Sequence, residues 1–200
     1  MRKFLLAFCL LSAFPSILTA QSTPSQPASA PAPPAPNWRD RVAEAMPLLG
    51  HRNWILIVDS AYPLLSAPGI ETIETDAGQL EVIRHVLIAL DRSTHVRPVI
   101  FMDAELPFVP EQDAPGVSAY RNETSDLLRD YPFESLPHDR IIANMEEAAK
   151  HFNILVLKTN MTVPYTSVFI RLDCKYWSED AEKRLRDRMA RTPQLQQPAP

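Results

Sequence analysis

The sequence predicts an α/β domain, with helices layered over a mostly buried sheet that is largely parallel or mixed. Two observations carry this expectation. Short continuous apolar runs, Trp54-Ile55-Leu56-Ile57-Val58 and Pro98-Val99-Ile100-Phe101-Met102 among them, have the length and β-branched content of strands covered on both faces. Between such runs, Leu80, Ile83, Leu87 and Leu90 repeat at helical spacing, with Arg84 and Asp91 among the polar residues beside them. Strands that alternate with helices along the chain build layered α/β domains.

Taken in order, residues 1–20 read as a cleaved secretory signal peptide. Arg2 and Lys3 precede the apolar run Phe4 to Leu11, Pro15 interrupts its continuation, and Ala20 supplies a small residue before the expected cut. The run is too short for a stable membrane-spanning helix, so no membrane insertion is expected after cleavage and the product is read as exported, periplasmic or secreted. Removing Arg2 and Lys3 takes the formal net charge from -4 to -6. Residues 21–36 hold six prolines and no aliphatic side chain larger than alanine, the composition of an extended, disordered tether. Residues 192–200 read as a second disordered tail, which leaves residues 37–191 as one domain.

Within that domain, Trp38 to Met46 fits a short helix with Trp38, Val42 and Ala45 on one side, ended by Pro47 and Gly50. The strand Trp54–Val58 follows, and Ile70 to Thr75 is a second candidate strand. The helix marked by Leu80 to Leu90 leads to the strand Pro98–Met102. Residues 104–116 carry Pro107, Pro110 and Pro115 and are expected to be irregular. Helices are predicted over Val117 to Arg129 and Asp139 to Phe152, then strands Ile154–Leu157 and Val168–Leu172. The mostly charged segment Ser178 to Arg191 is expected as a surface helix.

Composition excludes some functions. The acidic balance argues against nucleic acid, which needs a concentrated basic surface. One cysteine, Cys174, remains after residue 20, so no internal disulfide framework is possible. Without Cys clusters or close His pairs, a zinc site is not expected either.

Two stretches carry candidate chemistry. In Gly50-His51-Arg52-Asn53 followed by Trp54–Val58 and Asp59-Ser60-Ala61-Tyr62-Pro63, a histidine precedes a buried strand and an acid follows its carboxyl end. Ligand crevices in open α/β sheets form beyond strand carboxyl ends, and imidazole exchanges protons near neutral pH. On spacing alone, Asp59 reads as a turn cap and His51 as an ordinary loop residue. The second stretch, Lys158 to Ser167, is a mostly polar link between two apolar strands; there Tyr165 is either a hydrogen-bonding group or a packed aromatic.

Together these stretches resemble the D-ribose pyranase and L-fucose mutarotase family over most of residues 45–177. The likeness is clearest in LGHRNWILIVDSAYP, in ETDAGQLEVIRHVLIALDRSTHVRPVIFMDAE and in KTNMTVPYTSVFIRL, and the middle stretch is closer to the fucose branch. Members carry a Gly-His followed eight residues later by an Asp that opens a Pro-ended turn, a spacing that His51 and Asp59 keep. The resemblance implies His51 as proton donor, with Asp59 and Tyr165 as sugar ligands. The family's Tyr-x-Asn reads Tyr165-Thr166-Ser167 here, which puts Ser167 at the amide's position, and Asn160-Met161 stand where the family has Gly-Glu. A further sugar ligand near the last core helix is matched by His138 or Arg140.

The implied reaction is mutarotation: the ring oxygen is protonated while the anomeric hydroxyl loses a proton, so proton relays suffice without cofactor or metal. The implied partners are a monosaccharide such as fucose or ribose, and further copies of the chain, because members form homo-oligomers whose sites borrow residues from a neighbour. The alternative is a non-catalytic carbohydrate-binding or envelope interaction protein on the same fold.

Overall fold

A computed structural model describes residues 37–191; the signal peptide, the tether and the tail expected at 1–20, 21–36 and 192–200 lie outside these residues. The described chain forms five α-helices and six strands: α1 (Trp38–Ala45), β1 (Trp54–Val58), β2 (Ile70–Glu74), α2 (Gln79–Arg92), β3 (Val96–Asp103), α3 (Val117–Leu127), β4 (Phe133–Leu136), α4 (His138–Ala149), β5 (Ile154–Lys158), β6 (Val168–Cys174) and α5 (Glu179–Arg191). The strands make one sheet in the order β2-β5-β1-β6-β3-β4. Only β6 pairs antiparallel, to β1 on one side and β3 on the other. The sheet is therefore mixed and largely parallel.

Side chains that alternate along each strand build two cores. From β1, Ile55 and Ile57 join Ile100, Met102, Leu157 and Ile170 beneath α1, α2 and α3. Trp54, Leu56 and Val58 point the other way and pack with Phe101, Val156 and Phe169 against Ile141 and Met145 of α4. All five β1 residues are buried, which is why this strand reads as an unbroken apolar run. Each fully buried Ile or Leu contributes roughly 1.5–3 kcal/mol relative to exposure. Helix α5 buries none of its residues, as its charge pattern predicts.

Several boundaries differ from expectation. Strand β4 was not anticipated: FESL has no apolar run, three of its residues are exposed, and only pairing with β3 makes it a strand. The proline-rich excursion is irregular except for a short 3-10 turn at Leu106–Phe108. It ends at Gly116, whose φ of 95° suits glycine, and the Glu111 carboxylate accepts from the amides of Gly116 and Ser118 to close the start of α3. Helix α3 stops at Leu127 rather than Arg129, α4 runs from His138 to Ala149 rather than Asp139 to Phe152, and α5 starts one residue late because the Ser178 hydroxyl oxygen accepts from the Ala181 amide.

This topology sorts polar residues to two opposite edges. The parallel strands β1 to β5 all end at one edge, where the reversed β6 begins, as the pairs Val58–Lys158, Asp103–Leu136 and Met102–Val168 show. At the other edge lie the start of β3 and the end of β6, where Arg97 pairs with Asp173.

Candidate functional site

The carboxyl edge gathers polar groups from the loops and strand ends around it, and Asp103, Ser167 and Tyr62 among them are buried. Asp59 follows β1; its Oδ1 accepts from the Ala61 amide at 2.9 Å and its Oδ2 accepts from the Ser167 hydroxyl at 3.3 Å. Ser167, immediately before β6, is buried. Asp103 ends β3 and is 2% exposed, with Oδ1 3.0 Å from Nδ1 of His138. The other oxygen, Oδ2, is buried without a hydrogen-bond partner among the described residues, as is the hydroxyl of Tyr62. Such orphan groups are costly and call for an explanation.

Electrostatics follow from burial. Desolvation pushes the Asp103 carboxyl above its ordinary value; the His138 hydrogen bond and charge pull it back, while Glu105 and Asp59 push the same way as burial. The Tyr62 hydroxyl is pushed up to about 12, first by burial and then by Glu146, Asp103 and Asp59. That Asp59 and Asp103 both act on Tyr62 places the three in one electrostatic neighbourhood.

His138 is the first residue of α4, and its backbone N–H donates to both carboxylate oxygens of Glu105, at 3.0 and 3.1 Å. An anion at a helix start is favourable, and this one fixes where the imidazole stands. With Asp103 at Nδ1, the ring presents Nε2 as the nitrogen open to a ligand. The Tyr165 ring meets the His138 ring edge-on, with centroids 5.8 Å apart and planes at 83°. Tyr165 stands at φ 59°, a left-handed conformation that costs a non-glycine residue roughly 1–2 kcal/mol. Residues held in such conformations cluster at functional sites.

Of the residues singled out from sequence, Asp59, Ser167, Tyr165 and His138 are brought to this edge. Arg140 lies two residues into α4 and is exposed; residues two apart on a helix do not share a face, and His138 takes the inward position. His51 sits at the opposite edge, where its Nδ1 is 3.1 Å from Asp173, and Asp173 also accepts from Nε and an Nη of Arg97. Strand β1, five residues or about 16 Å long, separates His51 from Asp59 within one chain.

Sequence reasoning missed Asp103, Tyr62 and Glu105. Asp103 had the signal already used for Asp59, an acid one step beyond an apolar strand. Tyr62 and Glu105 had none, because their roles depend on folding of the loops after β1 and β3. Among the described residues no group of three or more His, Cys, Asp or Glu side chains is placed to hold a metal ion.

No family model and no curated protein matches the chain. Solved structures do. Bacillus subtilis RbsD complexed with D-ribose is 16% identical over 66% of this chain and 89% of its own, with a TM-score of 0.47. FucU from Bifidobacterium longum is 16% identical over 66% and 92%, also with a TM-score of 0.47. The fucose mutarotase from Streptococcus pneumoniae in complex with L-fucose is 16% identical over 64% and 88%, with a TM-score of 0.45. These likenesses are partial and of low identity, and the α/β architecture itself is the mixed six-stranded sheet and the five helices of the described residues.

Proposed function

We propose that the chain binds a monosaccharide such as fucose or ribose and interconverts its anomers or ring forms by general acid-base chemistry. One observation carries this reading: the convergence of Asp59, Asp103, His138, Tyr165 and Ser167 at the carboxyl edge. A pyranose presents hydroxyls that donate and accept and a ring oxygen that must be protonated. Carboxylates accept from hydroxyls, imidazole gives and takes the proton, and an aromatic ring covers a sugar face. The Asp103–His138 pair is the proton carrier within one chain, because the buried carboxylate orients the ring. His51 acts in this reading on a neighbouring copy's site in a homo-oligomer, since it faces the other edge of its own subunit. The reaction moves protons alone, so the proposal requires no cofactor. Export by the leader at 1–20 belongs to the same proposal and places the sugar outside the cytoplasm.

A specific observation favours the second reading, a carbohydrate-binding protein without catalysis. The Ser167 hydroxyl is engaged with Asp59, and a hydroxyl offers a ligand less than the amide it replaces in the resembling family.

Saturation-transfer NMR of the purified protein with D-ribose, L-fucose and D-galactose separates the readings, because it reports binding and anomer exchange together. Accelerated exchange abolished by His138→Ala supports catalysis within the carboxyl edge. Loss with His51→Ala as well, in a protein that light scattering shows to be oligomeric, supports a shared site. Binding without exchange selects the second reading, and neither binding nor exchange removes the sugar altogether.

A further inference from the structure

The loop between β5 and β6 carries Tyr165 and Ser167, and two buried polar side chains from elsewhere in the fold converge on the carbonyl between them. Gln79, in the first turn of α2, is 1% exposed and donates from Nε2 to the Thr166 carbonyl at 2.6 Å. Tyr120 of α3, also buried, donates from its hydroxyl to the same oxygen at 2.6 Å. The remaining amide atoms of Gln79 are used on the same structure. Its Oε1 accepts from the Thr159 hydroxyl at 2.6 Å, and Nε2 also approaches the Ile57 carbonyl of β1 at 3.4 Å.

Gln79 thus ties both ends of the loop, Thr159 and Thr166, to α2 and to the central strand. Thr166 is itself fully buried and donates from its hydroxyl to the Val163 carbonyl at 2.8 Å, which closes the turn carrying Tyr165. A buried amide and a buried phenol are expensive in an apolar layer unless fully paired, and these are paired to one backbone oxygen. The adjoining residues are the strained Tyr165 and the buried Ser167.

We propose that Gln79 and Tyr120 are positioning residues: through the Thr166 carbonyl they pre-organise Tyr165 and Ser167 for a ligand at the carboxyl edge. The inference rests on the sugar-site reading for the ligand's identity, but the mechanical part stands on the loop alone. A pre-organised wall lowers the ordering cost of binding, so loosening it weakens affinity without removing any contacting group.

Two variants of the full-length chain test it. Tyr120→Phe removes one hydroxyl and keeps the packed ring, and Gln79→Met removes the amide, donor and acceptor together, while filling a similar space. Hydrogen exchange is read for amides 160–167 and, as a control, for β1 and α2; L-fucose and D-ribose binding are read by NMR titration. The expected result is faster exchange confined to 160–167, with sugar affinity reduced roughly three- to tenfold in Tyr120→Phe for the loss of one hydrogen bond and at least as much in Gln79→Met. Unchanged exchange of 160–167 in both variants overturns the proposal, as does, when the wild type binds sugar, an unchanged affinity with a loosened loop. Slowed folding or loss of protection throughout β1 and α2 also overturns it, because the residues are then merely structural. If the wild type binds neither sugar while 160–167 still loosen selectively, the positioning role holds and the sugar reading fails.

Discussion

The two edges of the sheet each hold a histidine beside an aspartate, yet their surroundings differ in kind. At the amino edge, His51 and Arg97 both face Asp173, the histidine side chain is 55% exposed, and the carboxylate has more partners than it needs. Burial raises the Asp173 carboxyl, but the Arg97 hydrogen bond, the Cys174 amide and the charges of Arg97 and His51 outweigh it and leave the group below its ordinary value. At the carboxyl edge, the Asp103 side chain has one hydrogen-bond partner, one orphan oxygen and no paired arginine among the described residues, and its carboxyl lies above its ordinary value. The amino edge is a surface ion cluster that stabilises itself. The carboxyl edge carries unfavourable groups that the rest of the fold holds in place. The difference is the reason the proposed site is drawn around Asp103 and His138 rather than around His51 and Asp173.

The largest effect is expected at the strand that joins the two edges. Phe169 of β6 is fully buried between β1 and β3, and Phe169→Ala should cost about 3–5 kcal/mol. Urea unfolding followed at probes near both edges should show one shifted transition; two separate transitions would mean the edges fold independently and the comparison is between two modules.

Next in size is Asp103→Asn. A carboxyl raised in the folded state contributes its stability below the unfolded value, and that contribution is lost as pH rises through the folded value. The asparagine variant should lose this slope and gain stability over wild type at neutral pH. Sugar anomer exchange should fall roughly 10²-fold once His138 lacks its carboxylate. Thermal melts across pH 3–8 together with exchange spectroscopy check both. A variant less stable than wild type at neutral pH would break the contrast drawn above.

Tyr165→Phe removes only a hydroxyl from a partly exposed ring. It should weaken sugar binding roughly three- to tenfold and change stability by less than about 0.5 kcal/mol. A titration showing equal affinities would reduce Tyr165 to a packed aromatic.

The smallest effect is expected at the amino edge. Asp173 is lowered in the folded state, so its contribution is present above the unfolded carboxylate value and is lost as pH falls through the folded one. Asp173→Asn should flatten the acid limb of the stability curve and cost no more than about 1 kcal/mol at neutral pH, as partly exposed ion pairs do. A larger loss in chemical denaturation would show that this cluster is also structurally indispensable.

Local sequence determined the strands and helices whose burial is complete or strictly periodic. β1 and β5 are apolar at nearly every position because both faces are covered, and α2 announces its face through Leu80, Ile83, Leu87 and Leu90. Asp59, Tyr165 and Ser167 were singled out through the family resemblance, because a polar residue near an apolar strand end equally suits a turn or a packed position. Tertiary structure alone decided the rest. Strand β4 exists through hydrogen bonds to β3, not through any pattern of its own. The reversal of β6 brings Ser167 to Asp59 across 108 positions of chain, and α4 brings His138 to Asp103 across 35. Separation of His51 from Asp59 follows from the same physics: residues at the two ends of one extended strand lie far apart in space however close they stand in sequence.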